Sequence, residues 1–95
     1  MLNQIVLIGK LTENPKLNTS ENGVKVTSIS VAVQRPFKNV DGVHDIDIIT
    51  CIIGNNSIDY CEKGDTVGIK GRLQNSNNKI EVIAEKVTYF STKQG

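Results

Sequence analysis

Five stretches of this chain have the pattern of β-strands, and only one short stretch between the third and fourth could form a helix. The strand candidates alternate apolar and polar positions or are rich in β-branched residues, and Gly, Pro, Asn and Ser separate them. They cover residues 3–11, 24–33, 46–53, 66–74 and 79–90. This pattern predicts an all-β fold.

The helix candidate covers residues 57–63, where Ser57 suits an N-cap, Lys63 lies in the last turn and Gly64 suits the position after the helix. The predicted order is therefore three strands, one short helix and two strands. That is the order of an OB-fold, a five-stranded Greek-key barrel with a helix between its third and fourth strands.

Two strands give more detailed predictions. In the second, Val24 and Val26 share one face while the later apolar residues lie on the other, so we predict a β-bulge or a sharp coil near residues 27–28. Asp41-Gly42 between the second and third strands indicates a hairpin turn. The fourth strand alternates cleanly, with core positions Val67, Ile69 and Leu73 opposite the polar face of Thr66, Lys70, Arg72 and Gln74.

A chain of 95 residues is long enough for one domain only, predicted over residues 1–91 with a short C-terminal remnant at 92–95. It contains no apolar run of membrane-spanning length and no signal peptide, so we predict a cytoplasmic, nucleoid-associated protein. The net charge of +1 neither requires nor excludes a nucleic-acid partner. Both cysteines are expected to be reduced, with Cys51 in the core.

The sequence contains no pattern that indicates an enzyme, a cofactor or a metal site. There is no phosphate-binding Gly-rich loop, and no Ser, His and acid trio stands out. His44, Asp45 and Asp47 are close in sequence, but strand alternation places the imidazole on the face opposite the two carboxylates. We therefore predict no catalytic residues, no cofactor and no bound metal.

Several segments resemble the bacterial single-stranded DNA-binding protein family. They are MLNQIVLIGKLT (residues 1–12), VAVQRPFKN (31–39), DIITC (47–51), YCEKGD (60–65) and VGIKGRLQ (67–74). The resemblance covers residues 1 to about 91. It implies an OB-fold, binding of single-stranded DNA without sequence preference, and a homo-oligomer formed through the first strand, commonly a tetramer and alternatively a dimer.

The chain departs from the family where bases are stacked. The family usually has aromatic residues where this chain has Ile48 and Gly54, and a third in the hairpin that is shortened here to residues 75–78. The family's acidic C-terminal tail, which recruits protein partners, is not present in residues 91–95. We therefore do not expect partners that depend on that tail.

Single-strand binders combine cations for phosphates with flat side chains for bases. The base-contacting candidates are Phe37, which has cations on both sides, and Ile48. Residues 70, 72 and 74 form a polar ladder with steps of about 7 Å, similar to the repeat of an extended nucleic-acid strand. The predicted nucleic-acid-binding residues are Lys10, Arg35, Phe37, Lys38, Ile48, Lys70, Arg72, Gln74 and Lys79.

Each of these assignments has a structural alternative. Phe37 could anchor a loop, Ile48 could be a core residue, and the ladder could be an ordinary solvated face. Tyr60 is expected to plug the barrel end, and one of Tyr89 and Phe90 to pack inward. The alternative function is an OB-fold module for protein interaction, of the primosome type, with weak or no DNA binding.

Overall fold

The computed structural model describes residues 1–19, 23–54 and 61–90, and it contains six β-strands in that part of the chain. They are β1 (Ile5–Leu11), β2 (Lys16–Thr19), β3 (Lys25–Lys38), β4 (His44–Ile53), β5 (Thr66–Ser76) and β6 (Lys79–Phe90).

Five of these strands close into a barrel. The order in the sheet is β1-β5-β6-β4-β3, and pairing of β1 with β3 at Lys10 and Leu11 completes the circle. All pairs are antiparallel except β4 with β6, which meet only over Cys51–Ile53. The predicted OB-fold barrel is confirmed.

The predicted helix is not confirmed. Residues 57–60 lie outside the described part of the chain, and residues 61–63 are not helical. No helix occurs in the part of the chain that the structure describes, so none there could cross a membrane.

The polar segment between the first two strand candidates contains the short strand β2. Its four residues are all exposed, and it pairs only with the start of β3. Because neither face of β2 is buried, no apolar alternation marks it in the sequence. The hairpin strands are also longer than predicted, since β3 continues to Lys38 and β4 already begins at His44.

The turns follow the sequence more closely. Asp41-Gly42 lies in the β3–β4 turn as predicted, and Gly42 has a positive φ of 77°. Asn77 and Asn78, with φ values of 51° and 66°, join β5 to β6, as in a two-residue hairpin turn that needs two left-handed residues.

The core is formed by inward side chains from the barrel strands and by Cys61. Its buried members are Leu11, Ile29, Val31, Cys51, Ile53, Cys61, Val67, Ile69 and Ala84. Both cysteines are free thiols, as predicted, and burial raises the pKa of Cys51 to about 11. The core position that we predicted for Leu73 is wrong, because its side chain is 42% exposed.

The bulge predicted near residues 27–28 is also wrong. The β3–β4 pairing is regular from Thr27 to Gln34, and Thr27 fills the inward position with only 9% of its surface exposed. The change of apolar phase arises because Val26 pairs with Asn18 of β2 on the outer side. The irregularity of β3 lies further on, between Gln34 and Lys38.

Candidate nucleic-acid interface

The outer face of β3 and β4 carries exposed aliphatic side chains. Ile46 is paired with Gln34, and Ile48 with Ala32. Inward positions alternate with these, so the two isoleucines point away from the core and each is 59% exposed. The core alternative for Ile48 therefore fails, and Ile46 joins it as a surface residue that we did not predict.

Phe37 is a further exposed apolar residue of the same hairpin, nearer its turn. It lies in the irregular part of β3, where residues 35–37 face only Asp45 on β4, and its ring is 62% exposed. Asn39 holds the turn, because its Oδ1 accepts hydrogen bonds from the backbone of Asp41 at 2.8 Å and of Val43 at 3.1 Å. An exposed ring on a fixed turn suits a base platform better than a loop anchor.

Arg35, a predicted phosphate ligand, is held by carboxylates of its own hairpin. Its Nε and Nη2 donate to the two oxygens of Asp47 at 3.0 and 2.9 Å, and Asp45 lies 3.6 Å from its Nη1. The hydrogen bond with Asp47 raises the pKa of Arg35 and, in turn, the guanidinium lowers the pKa of the Asp47 carboxyl. A phosphate would have to compete with both carboxylates for this cation.

The predicted polar ladder on β5 occupies the outer face, as expected from its alternation. Arg72 donates from Nη1 to Oε1 of Gln74 at 2.8 Å, and its Nε lies 3.5 Å from Glu85 of β6. Lys70 is exposed and pairs across the ladder with Val6 on one side and Lys86 on the other. The three ladder residues thus share a face, but Arg72 already has an acidic partner.

The other predicted lysines do not lie together. Lys10 pairs with Thr66 at one end of β5, whereas Lys79 pairs with Ser76 at the other end, about 30 Å away along a strand of this length. Lys38 pairs with His44 beside the β3–β4 turn. They mark three separate points on the surface.

His44, Asp45 and Asp47, which are close in sequence, each have other partners in the structure. The Nδ1 atom of His44 is 2.9 Å from the carbonyl oxygen of Arg35, and both nearby carboxylates face the Arg35 guanidinium. No cluster of three metal-ligating side chains occurs in residues 1–19, 23–54 and 61–90.

The model of the single-strand binding protein family matches residues 2–90. The chain belongs to this family. A single-stranded DNA-binding protein of Oceanobacillus iheyensis is 39% identical over 98% of this chain, and one of Bacillus cereus is 35% identical over 100% of this chain. This chain spans 66% and 64% of the length of those two relatives.

Solved structures of the family agree with the barrel. The single-stranded DNA-binding protein of Thermus aquaticus matches with a TM-score of 0.77 and 24% identity, over 97% of this chain and 52% of that one. A Plasmodium falciparum SSB in complex with single-stranded DNA matches with a TM-score of 0.75 and 21% identity, over 96% of both chains. At these identities the likeness shows the fold alone.

Among the aromatic residues of this SSB-family chain, only Phe37 lies in the β3–β4 hairpin in the part that the structure describes. Tyr89 packs against the core, and the ring of Phe90 covers Gly68 on the outer face of β5. Tyr60 lies outside the described residues. The inward aromatic expected at the end of the last strand is therefore Tyr89.

Lys86 is the cation that sequence reasoning missed. Unbroken alternation along β6 puts it on the same face as Val82 and Ala84, which are core residues. The structure turns it outward, opposite Lys70. One feature of the sequence could have revealed this. Val82 and Ala84 are at even positions and Val87 and Tyr89 at odd positions, so both pairs can face the core only if one extra residue lies between Ala84 and Val87.

Proposed function

We propose that this chain binds single-stranded DNA without sequence preference, in replication, recombination or repair. The observation that carries the proposal is the family match over residues 2–90. Relatives that cover nearly the whole chain are named single-stranded DNA-binding proteins, which favours this function over the protein-interaction alternative. The function is binding without a chemical step, in the cytoplasm, by one domain over residues 1–91.

Bases contact the aliphatic face of Ile46 and Ile48 together with the exposed ring of Phe37. Stacking on an aromatic ring contributes roughly 1–3 kcal/mol per base, and an aliphatic side chain offers no π surface. With one aromatic platform at this face, binding depends more on phosphate contacts. Because phosphate contacts release counterions, affinity falls steeply with salt.

A second copy of the chain covers the outer surface of β1 in this proposal. Val6 and Ile8 are exposed there beside Phe90, and β1 contacts β3 only at its last two residues. One backbone edge of residues 5–9 is therefore open to another strand in the described structure. We propose a homotetramer, or alternatively a dimer, and light scattering that gives a monomer at all concentrations would contradict it.

The experiment is a titration of labelled dT oligomers of increasing length, followed by fluorescence anisotropy at several salt concentrations. We expect saturable binding, a minimum length for tight binding, and a plot of log K against log salt that falls by about 0.7 per neutralised phosphate. Double-stranded DNA of the same length is the control and should bind more weakly. No binding at low salt with high micromolar protein would refute the function.

A further inference from the structure

A β-bulge divides the β5–β6 ladder into two registers. From the hairpin turn, the pairing is regular from Ser76 with Lys79 down to Gly71 with Ala84. Continued by one step, that register would place Glu85 opposite Lys70. The ladder shifts at this point, so that Lys86 lies opposite Lys70 and Glu85 becomes the extra residue.

The bulge thus replaces an attractive cross-strand pair with a repulsive one. Side chains directly opposite on an antiparallel ladder have Cβ atoms about 5 Å apart, and like charges there destabilise the sheet. The Glu85 carboxylate lies 3.5 Å from Arg72 instead. None of the ion pairs observed in residues 1–19, 23–54 and 61–90 includes Lys70 or Lys86, and both lysines are exposed.

Gly71 is what allows the strands to approach at the bulge. A Cβ atom at this position would overlap the backbone carbonyl oxygen of Ile83, which cannot rotate away as a side chain can. The sequence therefore contains a residue that permits the bulge and two lysines that the bulge brings together. An unfavourable arrangement built in this way indicates an anionic ligand, because bulges commonly redirect side chains at binding sites.

We propose that Lys70 and Lys86 form a binding site for one backbone phosphate of single-stranded DNA. Two ammonium groups on one face can hold a phosphate between them without any base contact. The next pair along the face is Gly68 with Thr88, and the ring of Phe90 covers Gly68, so the site is bordered by an apolar surface on that side. This inference rests on the proposed function, and it assigns much of the salt dependence of DNA binding to Lys70 and Lys86.

The test compares the wild type with the Lys70→Gln/Lys86→Gln double variant in the dT titration. We expect the slope of log K against log salt to become shallower by about 0.7, and affinity at 0.1 M salt to fall about fivefold. Lys25→Gln is the matched control, since Lys25 is exposed at the start of β3 and pairs with Thr19 of β2. The control should keep the wild-type slope.

A second readout distinguishes a ligand site from a structural role. Lys86→Glu turns the like-charge pair into an opposite-charge pair, so its melting temperature at low salt should rise while DNA affinity falls. Binding by the wild type with an unchanged slope in the double variant would overturn the site but leave the proposed function intact. A change of oligomeric state without a change of slope would instead assign the pair to an interface between copies, and would also overturn it.

Discussion

The β3–β4 hairpin (residues 35–47) and the β5–β6 hairpin (residues 70–86) use their charges in opposite ways. The first contains two permanent cations and three carboxylates, and the second contains four cations and two carboxylates. In the β3–β4 hairpin, Asp45 and Asp47 surround Arg35. In the β5–β6 hairpin, the bulge moves Glu85 away from Lys70 and leaves two lysines side by side.

Both hairpins contain an irregularity, and the difference lies in what it exposes. The irregular segment of β3 presents the ring of Phe37, whereas the bulge of β6 presents the ammonium of Lys86. The β3–β4 hairpin neutralises its own arginine and offers apolar contact area. On the proposed function, bases therefore lie against β3–β4 and phosphates against β5–β6, so a substitution in one hairpin should affect one kind of contact.

The largest expected effect is on the bulge itself. Gly71→Ala should lower the free energy of unfolding by about 3 kcal/mol, because the new methyl group meets the rigid backbone of Ile83. Gly68→Ala is the matched control on the same strand. Its Cβ would lie 2.9 Å from the ring of Phe90, which can rotate, so we expect a loss of about 1 kcal/mol or less.

Chemical denaturation of both variants measures this difference. Equal losses would mean that the approach of β5 to Ile83 is not a rigid constraint. In that case the bulge would not require glycine at position 71. The contrast between the two hairpins would then not depend on this residue.

The next effect concerns base contact on the β3–β4 hairpin. Phe37→Ala should weaken binding of dT oligomers by about 1–2 kcal/mol, since one stacking platform is lost. Ile48→Ser should weaken binding of dT oligomers by less than Phe37→Ala does, because an aliphatic side chain offers contact area without stacking. Neither variant should change the salt slope, since no phosphate contact is removed.

An oligomer of abasic sites separates the two hairpins. Its affinity should be the same for wild type and Phe37→Ala, and Leu17→Ala, an exposed apolar site on β2, should behave as wild type with either ligand. If Phe37→Ala weakens binding to the abasic strand as much as to dT, the ring does not contact bases.

The barrel was predictable because its strands carry their own signal. Inward positions such as Val67 and Ile69 alternate with polar ones, and the turn at Asp41-Gly42 needs a residue type that the sequence supplies. The exposed strand β2 was not predictable in this way, since a strand without a buried face shows no alternation. Its existence follows from pairing with β3.

The site was only partly predictable, for two physical reasons. A bulge changes which face every later residue of a strand occupies, so simple alternation along β6 does not place Lys86 on the outer face, and a bulge or a sharp coil was expected in β3 but not in β6. The ion pairing of Arg35 depends on the register that brings Asp47 beside it, and composition alone does not show that register. Sequence could locate the cations but could not show which of them have acidic partners.

The smallest expected effect is the pH dependence of the Arg35–Asp47 pair. The hydrogen bond with Arg35 lowers the pKa of Asp47 in the folded protein, whereas an Asp in the unfolded chain has a pKa of about 4. A group with a lowered folded pKa stabilises the fold above its unfolded pKa, and that contribution disappears as pH falls through the folded pKa. Asp47→Asn should therefore melt slightly below wild type at pH 7, and the two should converge in acid.

Melting curves from neutral pH down to about pH 3 test this, with Asp41→Asn as the control on the same hairpin. Asp41 is in none of the ion pairs observed within the described ranges of the chain. The difference in melting temperature between its variant and wild type should therefore stay the same over this pH range. The effect is small because both partners are exposed to solvent, which screens the pair. If the difference in melting temperature between Asp47→Asn and wild type also stays the same over this pH range, the carboxylate does not hold Arg35 in solution. Arg35 would then be available for phosphate, and the electrostatic contrast between the two hairpins would be reduced to the lysines of β5 and β6.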